Sequence, residues 1–265
     1  MKFPVLEMFV SIQGEGKYTG CPSLFVRLAG CNLRCVFGNS RCDTPYSSFE
    51  LDKPIYETVE DAVVAARNYL AENPTVNHIV ITGGEPLLYK NQLNEFIDGV
   101  LFDNPTEVYK VITVETNGTL SADGIEYVDL WSVSPKLSTS VDKCCKFLTE
   151  EQRDRHDKTR INIDNLTTYI ADNSDFQLKF VYTSEESVTE IKGLLSRLTD
   201  ALNDKNIWWM DDAWDINEHV MLMPEGTNNE QLSNISQECA DVCIREGWRF
   251  CDRLHIRIWG DKRCV

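Results

Sequence analysis

Three thiols stand close together in the run Gly30-Cys31-Asn32-Leu33-Arg34-Cys35-Val36-Phe37-Gly38-Asn39-Ser40-Arg41-Cys42, within 12 residues and directly after an apolar stretch. A soft thiolate trio at this spacing selects an iron–sulfur cluster or zinc over hard cations. Three unrelated buried thiols, or a zinc knuckle, satisfy the same spacing.

Four further groups pair polar side chains with glycine or proline. Thr82-Gly83-Gly84-Glu85-Pro86 offers two glycines for close backbone approach and a carboxylate that can accept from an ammonium; a plain turn is the alternative. Glu115-Thr116-Asn117-Gly118 reads either as a ligand contact or as an Asn-Gly turn. Ser134-Pro135-Lys136 gives a hydroxyl, a fixed φ and a cation, or simply a surface lysine after a strand. In Ser11-Ile12-Gln13-Gly14-Glu15-Gly16, Gln13 both donates and accepts and Glu15 accepts, between glycines that permit tight approach. Arg27 suits a carboxylate bidentately, or an ion pair along a strand. Lys179 faces either the same site or a structural partner.

The elements that must hold these groups alternate. Residues 23–29, 78–82, 109–115, 128–133, 176–182 and 219–223 read as strands, and 254–259 alternates like a last one. Residues 58–72, 91–101, 187–203 and 230–246 carry helical spacing, and 149–173 is a polar, helical or partly irregular stretch. The segment 11–16 is placed before the first strand. Repeated βα units imply a parallel sheet with helices outside it, an α/β architecture. In such sheets ligands gather at the C-terminal ends of strands, where most of these polar groups fall. Across 265 residues a single core is within reach, and we read 1–265 as one domain with an insertion at about 140–173.

Charge bears on partners. Lys and Arg number 26 against 42 Asp and Glu, a net −16. That argues against a phosphate backbone and favours a small-molecule substrate. No apolar run reaches the length of a membrane span, and the N-terminal residues lack the apolar core of a signal peptide, so a cytoplasmic location is expected. With no export signal, the ten cysteines read as free thiols and metal ligands rather than disulfides.

The chain resembles the radical S-adenosylmethionine (SAM) superfamily and, within it, the 7-carboxy-7-deazaguanine synthase family. The resemblance is carried by Glu7-Met8-Phe9, Ser11 to Gly16, Phe25 to Cys35 and Cys42-Asp43-Thr44-Pro45-Tyr46. It continues through Thr82-Gly83-Gly84-Glu85-Pro86, Glu115 to Gly118, Ser134-Pro135-Lys136, Leu254-His255 and Trp259-Gly260, over residues 3–138 and about 175–265. It implies a partial (β/α)6 barrel with a 4Fe–4S cluster on Cys31, Cys35 and Cys42. One open iron would chelate the amino and carboxylate groups of SAM, and electron transfer would yield a 5′-deoxyadenosyl radical. It further implies SAM contacts from Asp43, Gly84, Glu85, Glu115, Asn117, Ser134, Pro135 and Lys136, and Mg²⁺ at Thr44. Substrate contacts are implied for Ile12, Gln13, Gly14, Glu15, Arg27, Thr82 and Val265. The implied substrate is 6-carboxy-5,6,7,8-tetrahydropterin, contracted to 7-carboxy-7-deazaguanine with loss of ammonia in queuosine-type 7-deazapurine biosynthesis. A flavodoxin-like electron donor and a homodimer belong to the same expectation. One departure stands out: the family spacing is Cys-x3-Cys-x2-Cys, whereas this chain has Cys-x3-Cys-x6-Cys, with Arg41 where an aromatic residue usually precedes the third cysteine. Phe37 is a candidate for that aromatic role.

Two rival readings stay open: a radical SAM activase that installs a glycyl radical on a partner protein, and a non-catalytic zinc-binding module. Cys239, Cys243, Cys251 and Cys264 read as buried thiols more readily than as a second metal site. Cys21, Cys144 and Cys145 carry no signal; Trp208, Trp209 and Trp214 around Asp211-Asp212 read as a packing patch or partner surface, and His255 as core or site.

Overall fold

The computed structural model describes residues 2–38, 40–102, 109–141, 146–172, 174–205 and 214–265. The strands are β1 (Lys2–Ile12), β2 (Pro22–Leu28), β3 (Val36–Phe37), β4 (Ser40–Arg41), β5 (Tyr56–Thr58) and β6 (His78–Gly83). After them come β7 (Val111–Thr116), β8 (Leu130–Val133), β9 (Asp175–Tyr182), β10 (Val220–Pro224) and β11 (Arg249–Phe250). The helices are α1 (Pro45–Ser48), α2 (Val59–Glu72), α3 (Lys90–Phe102), α4 (Glu150–Thr159), α5 (Ile163–Ala171), α6 (Glu185–Lys205), α7 (Asn229–Glu246) and α8 (Leu254–Trp259).

Nine strands form one sheet in the order β11-β10-β9-β8-β7-β6-β2-β1-β5. From β2 through β6, β7, β8, β9 and β10 every neighbour is parallel, the arrangement expected of six βα units. β1 runs antiparallel on the outside of β2, and β5 antiparallel on β1. The β1 strand contains residues 11 and 12, which the sequence placed ahead of the sheet.

The central strands are covered on both faces: β8 is buried throughout and β6 through its first five residues. Trp131, Tyr169, Phe3, Phe96 and Phe180 are among the largest side chains wholly out of solvent. Phe3 stacks on Phe96 with ring centres 5.3 Å apart, and Trp131 meets Tyr169 edge-on at 5.1 Å. Each such burial contributes about 1.5–3 kcal/mol against the entropy of ordering the chain. Helix starts are fixed locally: Thr58 accepts from Asp61 N ahead of α2, and Asn228 accepts from Gln231 N ahead of α7. Gly247, at φ +74°, ends α7 in the left-handed conformation that glycine alone adopts without strain.

One expected element changes type. Residues 254–259 form α8, not a last strand. In a strand Ile256 and Ile258 would share a face, yet Ile256 is 3% exposed and Ile258 is 51% exposed. The sheet edge there is already held by β11, and Arg257 ties the helix to Asp252, Ser233 and Ser236. The polar stretch 149–173 resolves into two helices with different burdens. α5 buries Leu166, Tyr169 and Ile170, as the crossover helix between β8 and β9 must. α4 buries only His156.

Candidate active site

Gly30, at φ +92°, turns the chain out of β2 into the cysteine loop. The longer spacing between Cys35 and Cys42 is taken up by two short paired strands, β3 and β4. Val36 pairs with Arg41 and Phe37 with Ser40, and Gly38 opens the reversal at φ +54°. The base of the hairpin is closed by Cys42 N donating to Cys35 O at 3.0 Å. Extra length is thus stored at the tip while the second and third cysteines stay side by side. Cys31, Cys35 and Cys42 all line one cavity of about 320 Å³, together with Phe37 and Arg41. Arg41 lies over the rings of Phe49 and Phe147 at 5.5 and 5.1 Å.

The thiols are unbridged and within electrostatic reach of one another. Burial pushes the Cys31 thiol up to about 11 and the Cys35 thiol up to about 12, and raises Cys42 as well. Cys31 Sγ accepts from Leu33 N at 3.4 Å and Asn117 Nδ2 at 3.8 Å, while Cys42 Sγ shares a hydrogen bond of 3.1 Å with Ser48 Oγ. Three soft donors on one wall, with no competing hard ligand among them, fit an iron–sulfur cluster. Among the described residues no three side chains converge as closely as a single metal ion demands.

The strand ends supply the adjoining wall. A Cβ on Gly84 would lie 2.0 Å from Gly30 O and 2.8 Å from Ser47 O, so glycine lets the end of β6 pack on the cysteine loop. Gly84, Glu115, Asn117, Ser134 and Lys136 line the cavity, and Lys136 Nζ donates to Ser134 Oγ at 2.8 Å. Glu85 does not line it. Its fully buried carboxylate accepts from Leu87 N at 3.1 Å, Thr116 Oγ1 at 2.8 Å and Asn117 N at 2.8 Å, and so ties the polar exit of β7 to the end of β6. Burial raises that carboxyl, and the three donors offset only part of the rise. Pro135 likewise faces inward, so its neighbours Ser134 and Lys136 form the lining there.

The third wall is the turn between β1 and β2. Ile12, Gln13, Gly14, Glu15, Arg27, Thr82 and Val265 all line the cavity. Gln13 Oε1 accepts from Gly14 N at 2.8 Å, and its Nε2 donates to Glu115 Oε1 at 3.1 Å. Thr82 Oγ1 donates to the other Glu115 oxygen at 2.8 Å. Glu15 takes Lys179 Nζ at 2.5 Å and Arg253 Nε at 3.0 Å. Burial alone would raise the Glu15 carboxyl; Lys179 and Arg253 outweigh it and hold it well below the usual carboxylate range. Arg253 also donates to Gly226 O at 2.6 Å and to Asp43, which fastens the turn to the cysteine loop. His255 packs where a Cβ on Gly14 would stand, 2.0 Å from its Nδ1.

Arg27 makes the ion pair along the strand, its Nε donating to Glu7 at 2.8 Å, and it lines the cavity with both Nη groups unclaimed by any described residue. Glu7 is further held by Tyr46 at 3.1 Å and Arg263 at 2.7 Å. Thr44 lines the cavity as the N-cap of α1, and its hydroxyl makes no capping bond.

Glu7 and Arg253 also line the cavity, and spacing did not reveal them. Glu7 lies opposite Arg27 in the β1–β2 register, a signal available only once β1 is recognised as a strand. Arg253 meets Glu15 across 238 positions and had no local signature. Cys251 is a buried acceptor for Gly16 N at 3.1 Å; Cys239 and Cys243 share a hydrogen bond inside the core, and Cys264 is exposed at the cavity rim. Trp214 packs against His219, their ring centres 6.0 Å apart. Cys144, Cys145, Trp208, Trp209, Asp211 and Asp212 lie outside the described residues.

Residues 26–142 match the Radical SAM superfamily. A 7-carboxy-7-deazaguanine synthase from Halobacterium salinarum is 38% identical over 265 residues, covering 97% of this chain and 91% of its own. Another from Rhodopirellula baltica is 34% identical, covering 98% and 87%. The crystal structure of QueE from Escherichia coli superposes with a TM-score of 0.59 at 21% identity, across 96% of this chain and 95% of that one, a likeness of fold.

Proposed function

The chain belongs to the 7-carboxy-7-deazaguanine synthase family of radical SAM enzymes, and from that premise we propose that it contracts 6-carboxy-5,6,7,8-tetrahydropterin to 7-carboxy-7-deazaguanine with loss of ammonia. The observation that carries this reading is one cavity holding three thiols on one wall and the Gln13–Glu15–Arg27 set on another. Cys31, Cys35 and Cys42 would hold the 4Fe–4S cluster. When bound, the cluster and SAM supply the radical that removes hydrogen from the substrate.

The chain's own groups do the rest. Asn117, Ser134, Lys136 and the backbone at Gly84 offer polar contacts for SAM, and Asp43 faces the same space. Glu85 serves that site from behind, by orienting Thr116 and Asn117. Arg27 presents its two Nη groups to a substrate carboxylate while Glu7 fixes its plane. Glu15, held by Lys179 and Arg253, presents acceptors to the N–H edge of a pterin, and Glu115, held by Gln13 and Thr82, presents acceptors to SAM. These acceptors are pre-aimed, so binding requires little rearrangement. Thr44, with its hydroxyl free of capping duty, is the group that would contact Mg²⁺ beside substrate oxygens. Val265 lines the cavity beside Arg263 and Cys264, within reach of the same pterin edge.

We take residues 1–265 as one unit, acting in the cytoplasm as a homodimer reduced by a flavodoxin-like donor. Among the described residues no helix is long and apolar enough to cross a membrane. The test is anaerobic incubation of the iron-loaded protein with SAM, reductant and the carboxytetrahydropterin. Stoichiometric deazaguanine is expected. No product from an intact cluster would favour a glycyl-radical activase, and a colourless, zinc-loaded protein would favour a binding module.

A further inference from the structure

α4 is a helix with one buried side chain. His156 is 2% exposed, Arg153 is half-buried and the other eight residues face solvent. A capping box between Thr149 and Gln152 starts the helix, but it has no apolar stripe with which to dock. What it brings to the protein is the imidazole.

His156 Nδ1 lies 3.1 Å from Arg34 N. A backbone amide only donates, so Nδ1 must accept and the ring proton sits on Nε2. Nε2 is 3.1 Å from Ser140 Oγ, and Ser140 Oγ donates to Leu137 O at 2.7 Å. One hydrogen-bond chain of consistent polarity therefore runs from the cysteine loop through α4 to the loop after β8. Arg34 stands between Cys31 and Cys35, and Leu137 follows Lys136. The Arg34 side chain winds the same stretch by donating to Cys31 O at 2.6 Å and Leu33 O at 2.8 Å.

We propose that His156 is a positioning residue for the cluster: by accepting the Arg34 amide it fixes the backbone between the first two ligands and withholds that N–H from the cluster sulfurs. This rests on the reading of Cys31, Cys35 and Cys42 as cluster ligands. Hydrogen bonds to sulfur set the reduction potential of a cluster, and partners one step behind the ligands govern how firmly metal is held. The extra helix is then the device that delivers one acceptor to this loop.

The experiment compares His156→Leu, which removes the acceptor, with His156→Asn, whose Oδ1 can replace Nδ1. After anaerobic reconstitution, the readouts are iron loss to a chelator, cluster midpoint potential, the electron paramagnetic spectrum with and without SAM, and melting of the metal-free protein. Iron loss about tenfold faster in H156L, with a shifted potential, is expected. H156N should recover most of both. H156L equal to wild type in iron retention and potential overturns the proposal, and so does H156N behaving like H156L. If H156L does not fold, Ser140→Ala and H156N carry the test, with partial iron loss expected in the first and near-wild-type retention in the second; an unaffected S140A then overturns it. A wild-type chain that takes up no iron overturns the cluster reading and this inference with it. A wild-type cluster indifferent to His156 overturns this inference alone.

Discussion

The thiol wall and the β1 wall face the same cavity but keep their ionisable groups in different ways. Around Cys31, Cys35 and Cys42 the dominant influence is burial, which raises all three thiols, and Lys136 offsets only a little of it. Around Glu7 and Glu15 burial is outweighed by cations, two on each carboxylate. The first wall is neutral until a metal displaces its protons. The second is charged and internally matched before any guest arrives. One wall is completed by its cofactor, and the other is completed by folding.

The sharpest way to break this contrast is to remove a thiol. Cys35→Ala should abolish cluster retention and turnover while leaving the melting of the metal-free protein near wild type, read by iron content, product formation and a thermal scan. The converse experiment is Glu15→Ala, which strips Lys179 of its ion-pair partner inside the fold and leaves Arg253 with Asp43 alone. It should cost the metal-free protein about 3 kcal/mol or more, measured as a shift of the urea midpoint. A loss under about 1 kcal/mol would mean the charged wall is not internally matched.

The next effect depends on pH. Burial holds His78 and His156 down at about 4, against about 6.5 for the unfolded residue. Between those values the unfolded chain binds more protons than the folded one, so stability falls as pH falls from about 6.5 towards 4. Melting of the metal-free protein across pH 7 to 5, above most carboxylate titration, should show this slope, and His156→Asn should flatten it. Glu15 and Glu7, with lowered folded values, lose their contribution only at more acidic pH, as pH falls through the unfolded and then the folded carboxyl range. Thr82→Val should raise KM about fivefold with kcat little changed, because it removes one of two donors on Glu115. Arg41→Ala should be mildest, at about 0.5–1 kcal/mol from two lost ring contacts.

The cysteine loop and the strand-end motifs were legible because each is local. A thiol trio after a strand, or glycines before a carboxylate, announces itself within a dozen residues. Orientation was less so. Glu85 sits in the expected segment but turns inward, because Thr116 and Asn117 on the next strand need its oxygens. Arg253 was invisible for the opposite reason, since its partners Glu15 and Asp43 are distant in sequence and adjacent only once the sheet has curved. Residues 254–259 alternate over too short a span to separate strand from helix, and the occupied sheet edge decided between them. His156 stood in a stretch whose polarity suggested nothing to bury.

The hairpin between Cys35 and Cys42 has a bearing on how such a loop can change over generations. An antiparallel ribbon grows or shrinks at its tip by matched pairs, one residue from each strand, and its foot does not move. Two residues gained or lost there leave both sulfurs where they were. A single residue must either lengthen the turn or shift the pairing and swing one side chain to the opposite face. Even-numbered drift in this loop therefore keeps both turn and register, whereas odd-numbered drift must change one of them, a point of use when chains of different loop length are aligned.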